Sequence, residues 1–130
     1  MTLDEARSVI ETYFQTKWTA TPIQYFNVPF VPPATGEWVK IGILPGSTSI
    51  GSLGENGYDD ERGIVDVLIF TPENVGTAKA FQYAGGVKAL FRRKIISGVH
   101  FLPPTVMALP DLEYGKFCVN VTIPFRFFTA

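Results

Sequence analysis

The first apolar residues of the chain recur every three or four positions, which is the spacing of one face of an α-helix. The set consists of Leu3, Ala6, Val9, Ile10, Tyr13 and Phe14. Just before it, Thr2 and Glu5 have the spacing of a capping box, in which both side chains accept hydrogen bonds from free backbone N–H groups. The pattern predicts a helix from about residue 3 to residue 17.

A proline-rich segment follows this helix. Residues 20–36 contain four prolines, which exclude a helix and restrict any strand to the edge of a sheet, so we expect an extended, irregular crossing. Residues 37–46 then alternate as a strand does. One face carries Val39, Ile41 and Ile43, and the other carries Trp38, Lys40 and Leu44.

The strand predicted over residues 63–72 is apolar on both of its faces, apart from Asp66. The two sets are Val65, Val67 and Ile69 on one side and Ile64, Asp66, Leu68 and Phe70 on the other. A strand with one face in water normally alternates apolar and polar residues, so this strand needs cover on both sides. Helices can cover one side. Either another subunit or the folded-back segment 20–36 covers the second.

Residues 46–60 separate these two strands and are rich in Gly and Ser. Their number exceeds the two to five residues of an ordinary hairpin loop, and a long loop on a compact domain is usually functional or disordered. We expect this loop to be mobile in a free subunit and ordered by a partner. Ile50 and Leu53 are its expected anchors, because apolar residues in so polar a segment have little reason to face water.

Beyond Pro72 the spacing of the apolar residues changes from two to three or four, which predicts a second helix with Asn74 as its N-cap. The pair Gly85-Gly86 weakens this helix by about 1 kcal/mol per Gly relative to Ala. A close packing contact or a kink would explain the pair. The basic residues 92–94 suit the negative end of the helix dipole, and a phosphate contact is the alternative.

The pattern of the last third of the chain predicts a β-hairpin. Residues 99–110 form its first arm, which Pro103-Pro104 should interrupt or place at an edge, and 111–115 form the turn. Residues 116–128 alternate cleanly and predict the clearest strand of the chain. The whole order of elements predicts a single α+β domain over residues 1–130, with two helices on one face of a mainly antiparallel sheet of about four strands.

Composition and charge exclude several classes of function. The chain has 11 basic and 12 acidic residues, so bulk charge does not indicate nucleic-acid binding. One Cys and one His leave no disulfide framework and no His-rich or multi-Cys metal site. No apolar run approaches the roughly 18 residues of a membrane helix, and the N-terminus does not have the pattern of a signal peptide, so we expect a soluble protein inside the cell.

A search for catalytic patterns also gives no constellation. Cys118 and His100 could face each other across the last hairpin, but two unrelated strand residues are the better interpretation. The Gly-rich segment lacks the Lys-Ser or Lys-Thr of a phosphate-binding loop. Asp59, Asp60 and Glu61 lack the spacing of an EF-hand, and a solvated turn explains them better than a cation site.

The central block of the sequence resembles the tail terminator family of long-tailed phages, small proteins that close the end of the tail tube. The similar region covers about residues 3–95, from the capped helix LDEARSVIETYFQTKW through the EWVKIGIL strand to ERGIVDVLIFTPENVGTAKAFQYAGGVKALF. In this pattern a charged residue and a Gly open an apolar strand that ends in an aromatic residue and Pro. The corresponding positions are Arg62, Gly63, Phe70 and Pro72.

The resemblance implies a structural virion protein with no enzymatic activity and no cofactor. It implies a homo-oligomeric ring, commonly a hexamer, that contacts the tail tube protein and head-completion proteins after assembly in the host cytoplasm. DNA would pass through the ring without tight binding. A different head–tail connector is one alternative. A small α+β enzyme or ligand-binding domain that uses residues 46–60 as a lid is the alternative from another class.

Two sets of residues are candidates for function on this interpretation. The candidate contacts with subunits or partners are Trp38, Ile50, Leu53, Arg62, Val65, Val67 and Ile69. We expect at least two of the four in the sheet, Trp38, Val65, Val67 and Ile69, to lie at a subunit contact. The candidate channel-facing charges are Asp59, Asp60 and Glu61, which would repel DNA.

Overall fold

The computed structural model describes residues 1–34, 36–109 and 115–129 and shows an α+β fold with two helices on one face of a sheet. Its helices are α1 (Leu3–Lys17) and α2 (Ala78–Phe91). Its strands are β1 (Ile23–Tyr25), β2 (Trp38–Ile50), β3 (Asp59–Pro72), β4 (Ile95–Ile96), β5 (Val99–Phe101), β6 (Thr105–Ala108) and β7 (Lys116–Thr129).

The sheet is mixed and has more strands than the sequence pattern predicts. Its order is β1-β2-β3-β7-β5-β4, with β6 also paired to β7, and only β1 pairs in parallel. The expectation of about four strands is wrong because β1 and β4 were not predicted and the predicted arm 99–110 is divided into β5 and β6. Each of these four strands has only two to four residues, too few to leave a periodic pattern. Pro103-Pro104 separates β5 from β6, as predicted. Of the predicted turn 111–115, only Gly115 lies within the described residues.

The first helix forms as its sequence predicts. The Thr2 hydroxyl oxygen accepts a hydrogen bond of 3.1 Å from the backbone N–H of Glu5, so one of the free donors of the first turn is satisfied. Ala6, Ile10 and Phe14 are buried and place α1 on the sheet.

The main core lies between the helices and one face of the sheet. β3 contributes Val65, Val67 and Ile69 to it, and all three side chains are fully buried. The matching residues of β7 are Val119, Val121, Ile123, Phe125 and Phe127. Burial of each such side chain stabilises the fold by about 1.5–3 kcal/mol.

The same chain also covers one end of the opposite face. Trp38, Phe70 and Cys118 form a second buried cluster, against which Phe30 and other partly buried residues pack. The Trp38 ring stacks on Phe70 with 4.5 Å between ring centroids, and its indole N–H donates to Gln24. The proline-rich segment therefore folds back over this part of the sheet, which is one of the two alternatives left open by the sequence.

The expectation of subunit contacts at the sheet residues is consequently wrong. Val65, Val67 and Ile69 are buried under the helices, and Trp38 is 2% exposed beneath the proline-rich segment. All four are covered within one chain. The two helices cover one face of β3, and the segment after α1 covers the Phe70 end of the other face, on which Ile64 stays exposed. These four residues are no longer candidates for an interface.

The second helix begins later than its sequence predicts. Asn74 has a φ of 63° and belongs to a turn that continues through Gly76, so the N-cap is Thr77 rather than Asn74. The right-handed helix begins only after Asn74 and Gly76, because both residues have a positive φ. Val75 and Ile95, two apolar residues on either side of α2, are exposed outside the helix.

A close contact between the helices accounts for Gly86. A Cβ atom at this position would lie 3.2 Å from the ring of Trp18, whereas a Cβ at Gly85 would meet nothing within 4 Å. The Trp18 ring has little freedom to move, since it stacks on Phe14 and donates a hydrogen bond to Thr21. Gly86 thus permits the close approach, and Gly85 has no such role.

We expect Gly85→Ala to raise the free energy of unfolding by about 0.5–1 kcal/mol, because Ala restricts the unfolded chain and favours the helix. Gly86→Ala should give a smaller gain or a loss, since its methyl group presses on Trp18. Urea unfolding of the two variants beside the parent protein measures the difference. Equal gains at both positions would contradict the packing role of Gly86.

Candidate functional site

The segment between β2 and β3 is a long hairpin and not a fifteen-residue loop. β2 continues to Ile50 and β3 begins at Asp59, with Ile50 paired to Asp59 and Thr48 paired to Glu61. Only residues 51–58 lie outside the strands. The predicted loop 46–60 is therefore too long at both ends. The two strands continue into it through backbone pairing, and their polar residues there do not show the apolar alternation by which a strand is recognised in a sequence.

A β-bulge bends this hairpin where it leaves the core. The register with β3 shifts by one residue between Pro45 and Thr48. Gly46 lies in the bulge, and a Cβ atom there would come within 2.8 Å of the Arg62 carbonyl oxygen. Bulges increase strand twist and redirect the strand, so this one sets the direction in which the hairpin projects. All of residues 44–50 are exposed.

The tip of the hairpin, residues 51–58, is closed by its own hydrogen bonds. The backbone N–H groups of Gly51 and Ser52 both donate to the Tyr58 carbonyl oxygen, at 2.9 and 3.0 Å. The Tyr58 N–H in turn donates to the Ser52 hydroxyl. Beside this closure Ile50 and Leu53 point into solvent, 68% and 86% exposed. Both remain candidates for a contact, because a local structure that is already ordered leaves two large apolar side chains outside.

The base of the hairpin is held by one carboxylate between two arginines. Oδ2 of Asp60 accepts hydrogen bonds from Arg62 at 3.2 Å and from Arg126 of β7 at 3.0 Å. Asp60 is only 8% exposed. It is thus a buried, paired structural charge, and its candidacy as a channel-facing charge is wrong. Arg62 is half exposed and extends from this cluster toward solvent.

The other two acids lie on the opposite face from Asp60, since successive strand residues alternate. Asp59 is exposed, and Glu61 accepts a hydrogen bond of 2.7 Å from the Thr48 hydroxyl across the hairpin. The three adjacent acids therefore form no common site. Among the described residues, no group of three His, Cys, Asp or Glu side chains is placed to hold a metal ion.

An aromatic contact also ties the hairpin to β7. The ring of Phe128 meets Tyr58 edge-on at 5.1 Å, and the Arg126 guanidinium lies over the same ring at 5.0 Å. His100 lies opposite Arg126, near Phe128. Cys118 lies opposite Phe70 at the other end of β7. The two residues do not meet, so the interpretation of unrelated strand residues is confirmed.

A polar network explains the lone acid of the apolar strand. The Asn120 amide N–H donates to the Asp66 carboxylate, and the Thr122 hydroxyl donates to the Asn120 side-chain oxygen at 2.8 Å. The three side chains are half-buried on the face away from the helices, between β3 and β7. Sequence reasoning missed this network. The available signal was that Asp66 and Asn120 both interrupt apolar strands.

The surface grooves do not coincide with the hairpin tip. Two grooves of about 550 Å³ lie around Phe26, one between β1 and Lys40 and one between α1 and the segment after β1. Neither is lined by residues 51–58, so the tip does not act as a lid on them. No helix in the described part of the chain is long and apolar enough to span a membrane.

Comparisons with known proteins identify the family and the fold. A family model described as phage tail terminator protein matches residues 5–125. No curated protein matches the chain. One solved structure has a TM-score of 0.72 and 21% identity, covering 98% of this chain and 96% of that chain. At this identity the similarity shows the fold alone.

Removing the charge of Asp60 should weaken the base of the hairpin. We expect Asp60→Asn to lower the free energy of unfolding by about 1–3 kcal/mol, because it weakens two charge-assisted hydrogen bonds in a buried place. Arg62→Ala is the matched control and should cost less than about 1 kcal/mol, since that arginine is half exposed. Urea unfolding at pH 7 measures both. A loss for Arg62→Ala as large as that for Asp60→Asn would contradict this ranking.

Proposed function

This chain belongs to the phage tail terminator family, and we propose on that premise that it forms a ring that closes the end of the tail tube. As a member of this family it is a structural protein of the phage tail, and so a component of the virion. The proposed ring stops polymerisation of the tube and joins the tail to the head. Assembly takes place in the host cytoplasm.

The β2–β3 hairpin is the observation that carries the proposal. Its β3 arm is paired with both β2 and β7 as far as Asp59, and its tip extends beyond these last pairs with the exposed side chains of Ile50 and Leu53 at its end. A closed ring requires that one surface of a subunit meets a different surface of the next. A projecting hairpin with apolar residues at its end can reach a neighbour in this way, while the helix-covered face of the sheet keeps each subunit folded.

Surface complementarity would supply the mechanism of termination. One face of the ring matches the last ring of tail tube protein, and the other face matches a head-completion protein rather than a further tube subunit. We propose a hexamer, the ring size that the family resemblance implies. Arg62, half exposed at the base of the hairpin, is a candidate contact with one of these partners.

The alternatives differ in how they would use the hairpin. A small enzyme or ligand-binding domain required residues 46–60 as a flexible lid. This idea loses support because residues 46–50 and 59–60 belong to strands, and the remaining residues 51–58 line neither groove at Phe26. A different head–tail connector would use the same hairpin against another ring. Binding to assembled tail tubes distinguishes it from a terminator, which must bind the tube end.

Shortening the hairpin should separate folding from assembly. Replacing residues 51–58 by Asn-Gly joins Ile50 directly to Asp59 through a two-residue turn, which suits their pairing. We expect the variant to unfold within a few degrees of the parent, because the removed residues contribute little to the core. It should form no rings in sedimentation and should not complete tails in a complementation assay.

A matched control keeps the length of the tip and changes another exposed residue. Asn56→Ser alters the polar part of the tip and should leave assembly unchanged, while Gly54 is kept because its φ of 101° favours glycine. Normal virion yield from the shortened variant would count decisively against a role of the tip in assembly. Failure of the parent protein to form rings, both alone and on tube ends, would instead remove the proposed function itself.

We expect the purified protein to show no measurable binding to duplex DNA at physiological salt. Its net charge is −1, and its local basic run at residues 92–94 gives only an attraction that salt screens. Asp59 and Glu61 would also repel phosphates if this part of the hairpin faces the channel. A mobility-shift assay tests the expectation. Micromolar or tighter binding that Arg92→Ala with Arg93→Ala abolishes would contradict it and indicate a DNA-contacting connector.

A further inference from the structure

The outer edge of the sheet at β4 carries an apolar residue beside a basic run. Ile95 is 67% exposed on this two-residue edge strand. Directly before it, Arg92, Arg93 and Lys94 are all exposed, and within the described chain none of the three forms an ion pair. We call these four residues the basic edge. Arg92 is the C-cap of α2, and its charge suits the negative end of the helix dipole, but the dipole does not explain the exposed Ile95 at the same edge.

The hairpin tip has the same construction with the opposite sign of charge. Its apolar residues are Ile50 and Leu53, and its charges are Glu55 and Asp59, which are exposed and have no ion pair among the described residues. We call these four residues the acidic tip. Each patch therefore combines exposed apolar side chains with unpaired charges, and the two patches are complementary.

The sheet places the two patches at the same end of the molecule but apart from each other. The Lys94 carbonyl oxygen accepts from the Phe101 N–H, and Phe101 pairs with Phe125, which pairs with Gly63. The basic edge thus lies at the same height along the strands as Gly63, where the hairpin begins. β4 is the third strand from β3 in the sheet, so the two strands are about 14 Å apart. The hairpin projects beyond that level. Its tip packs on Phe128 through Tyr58 and not on the basic edge.

We propose that the acidic tip of one subunit docks on the basic edge of the next copy of this chain. Leu53 and Ile50 pack against Ile95, while Glu55 and Asp59 pair with Arg92 and Arg93. The contact joins two different surfaces, so its repetition generates a ring when the rotation closes. This inference rests on the proposed function and names the surfaces that would build the ring.

Charge complementarity favours a second copy over other occupants of the basic edge. The same chain supplies both signs of charge and both apolar surfaces. Duplex DNA would find only three positive charges in this patch, on a chain whose net charge is −1. Paired charges across an interface act mainly on orientation, partner choice and the rate of association, which is what a ring subunit needs in order to reject the wrong register.

Charge reversal tests the contact, because the two patches can be changed separately. The first variant carries Arg92→Glu and Arg93→Glu, and the second carries Glu55→Lys and Asp59→Lys. In each, tip and edge have the same sign, so we expect ring formation to require at least tenfold higher protein concentration in sedimentation velocity. A mixture of the two variants should form rings again, because every tip then meets an edge of opposite sign in alternation.

A protein with all four reversals should also form rings, since its tip and edge are again opposite. The matched control is Lys17→Glu with Lys88→Glu, which changes the net charge as much as the first variant at exposed positions elsewhere. It should assemble as the parent does. Thermal unfolding of every variant shows that the monomer is folded, and tail completion in a complementation assay provides the same comparison where rings form only on tube ends.

The outcomes separate this inference from the proposed function. If the parent forms rings and neither the mixture nor the fourfold variant restores what the single reversals lose, the two patches do not meet and the inference is overturned. Parent-like assembly of either twofold reversal would overturn it equally. If the parent forms no ring alone or on tubes, the proposed function fails, and this contact fails with it.

Discussion

Cover on both faces of β3 is the constraint on which the rest of the structure depends. β3 is bonded to β2 on one side and to β7 on the other, and of its apolar side chains between Gly63 and Pro72 only Ile64 is exposed. The helices cover Val65, Val67 and Ile69. The proline-rich segment brings Phe30 against Trp38 and Phe70 on the opposite face. One chain therefore completes its own core.

The projecting hairpin begins where that cover ends. Between Gly63 and the tip, β2 and β3 are stabilised by their backbone hydrogen bonds, by Asp60 between its two arginines, and by Tyr58 against Phe128. These contacts fix the root of the hairpin without burying its tip. Apolar side chains on an ordered support can bind a partner with less loss of conformational entropy than the same residues on a mobile loop. The fold thus separates the part that secures folding from the part available for assembly.

Helices and strands whose apolar residues recur regularly could be predicted from the sequence. Strand segments that are exposed to solvent could not. α1 and β7 carry long periodic sets of apolar residues, and the structure confirms both. Residues 48–50 pair with residues 59–61 although Ile50 is the only apolar residue among them, so this part of the hairpin has no alternation of apolar and polar residues to detect. The expected subunit contacts at Trp38, Val65, Val67 and Ile69 failed for a related reason. The apolar pattern of a strand shows that each apolar face must be covered, but it does not show which part of the chain covers it.

The sequence by itself determined the class of fold, the two helices, the central strands and the tail terminator resemblance. These follow from local periodicity and from residue types, which neighbours along the chain decide. Only the tertiary structure decided that Asp60 is buried and paired while Asp59 stays exposed. It also decided that the basic run beside Ile95 lies level with the root of an acidic hairpin. Such relations join residues far apart in the sequence, 66 positions in the case of Asp60 and Arg126, and strand register rather than local pattern brings them together.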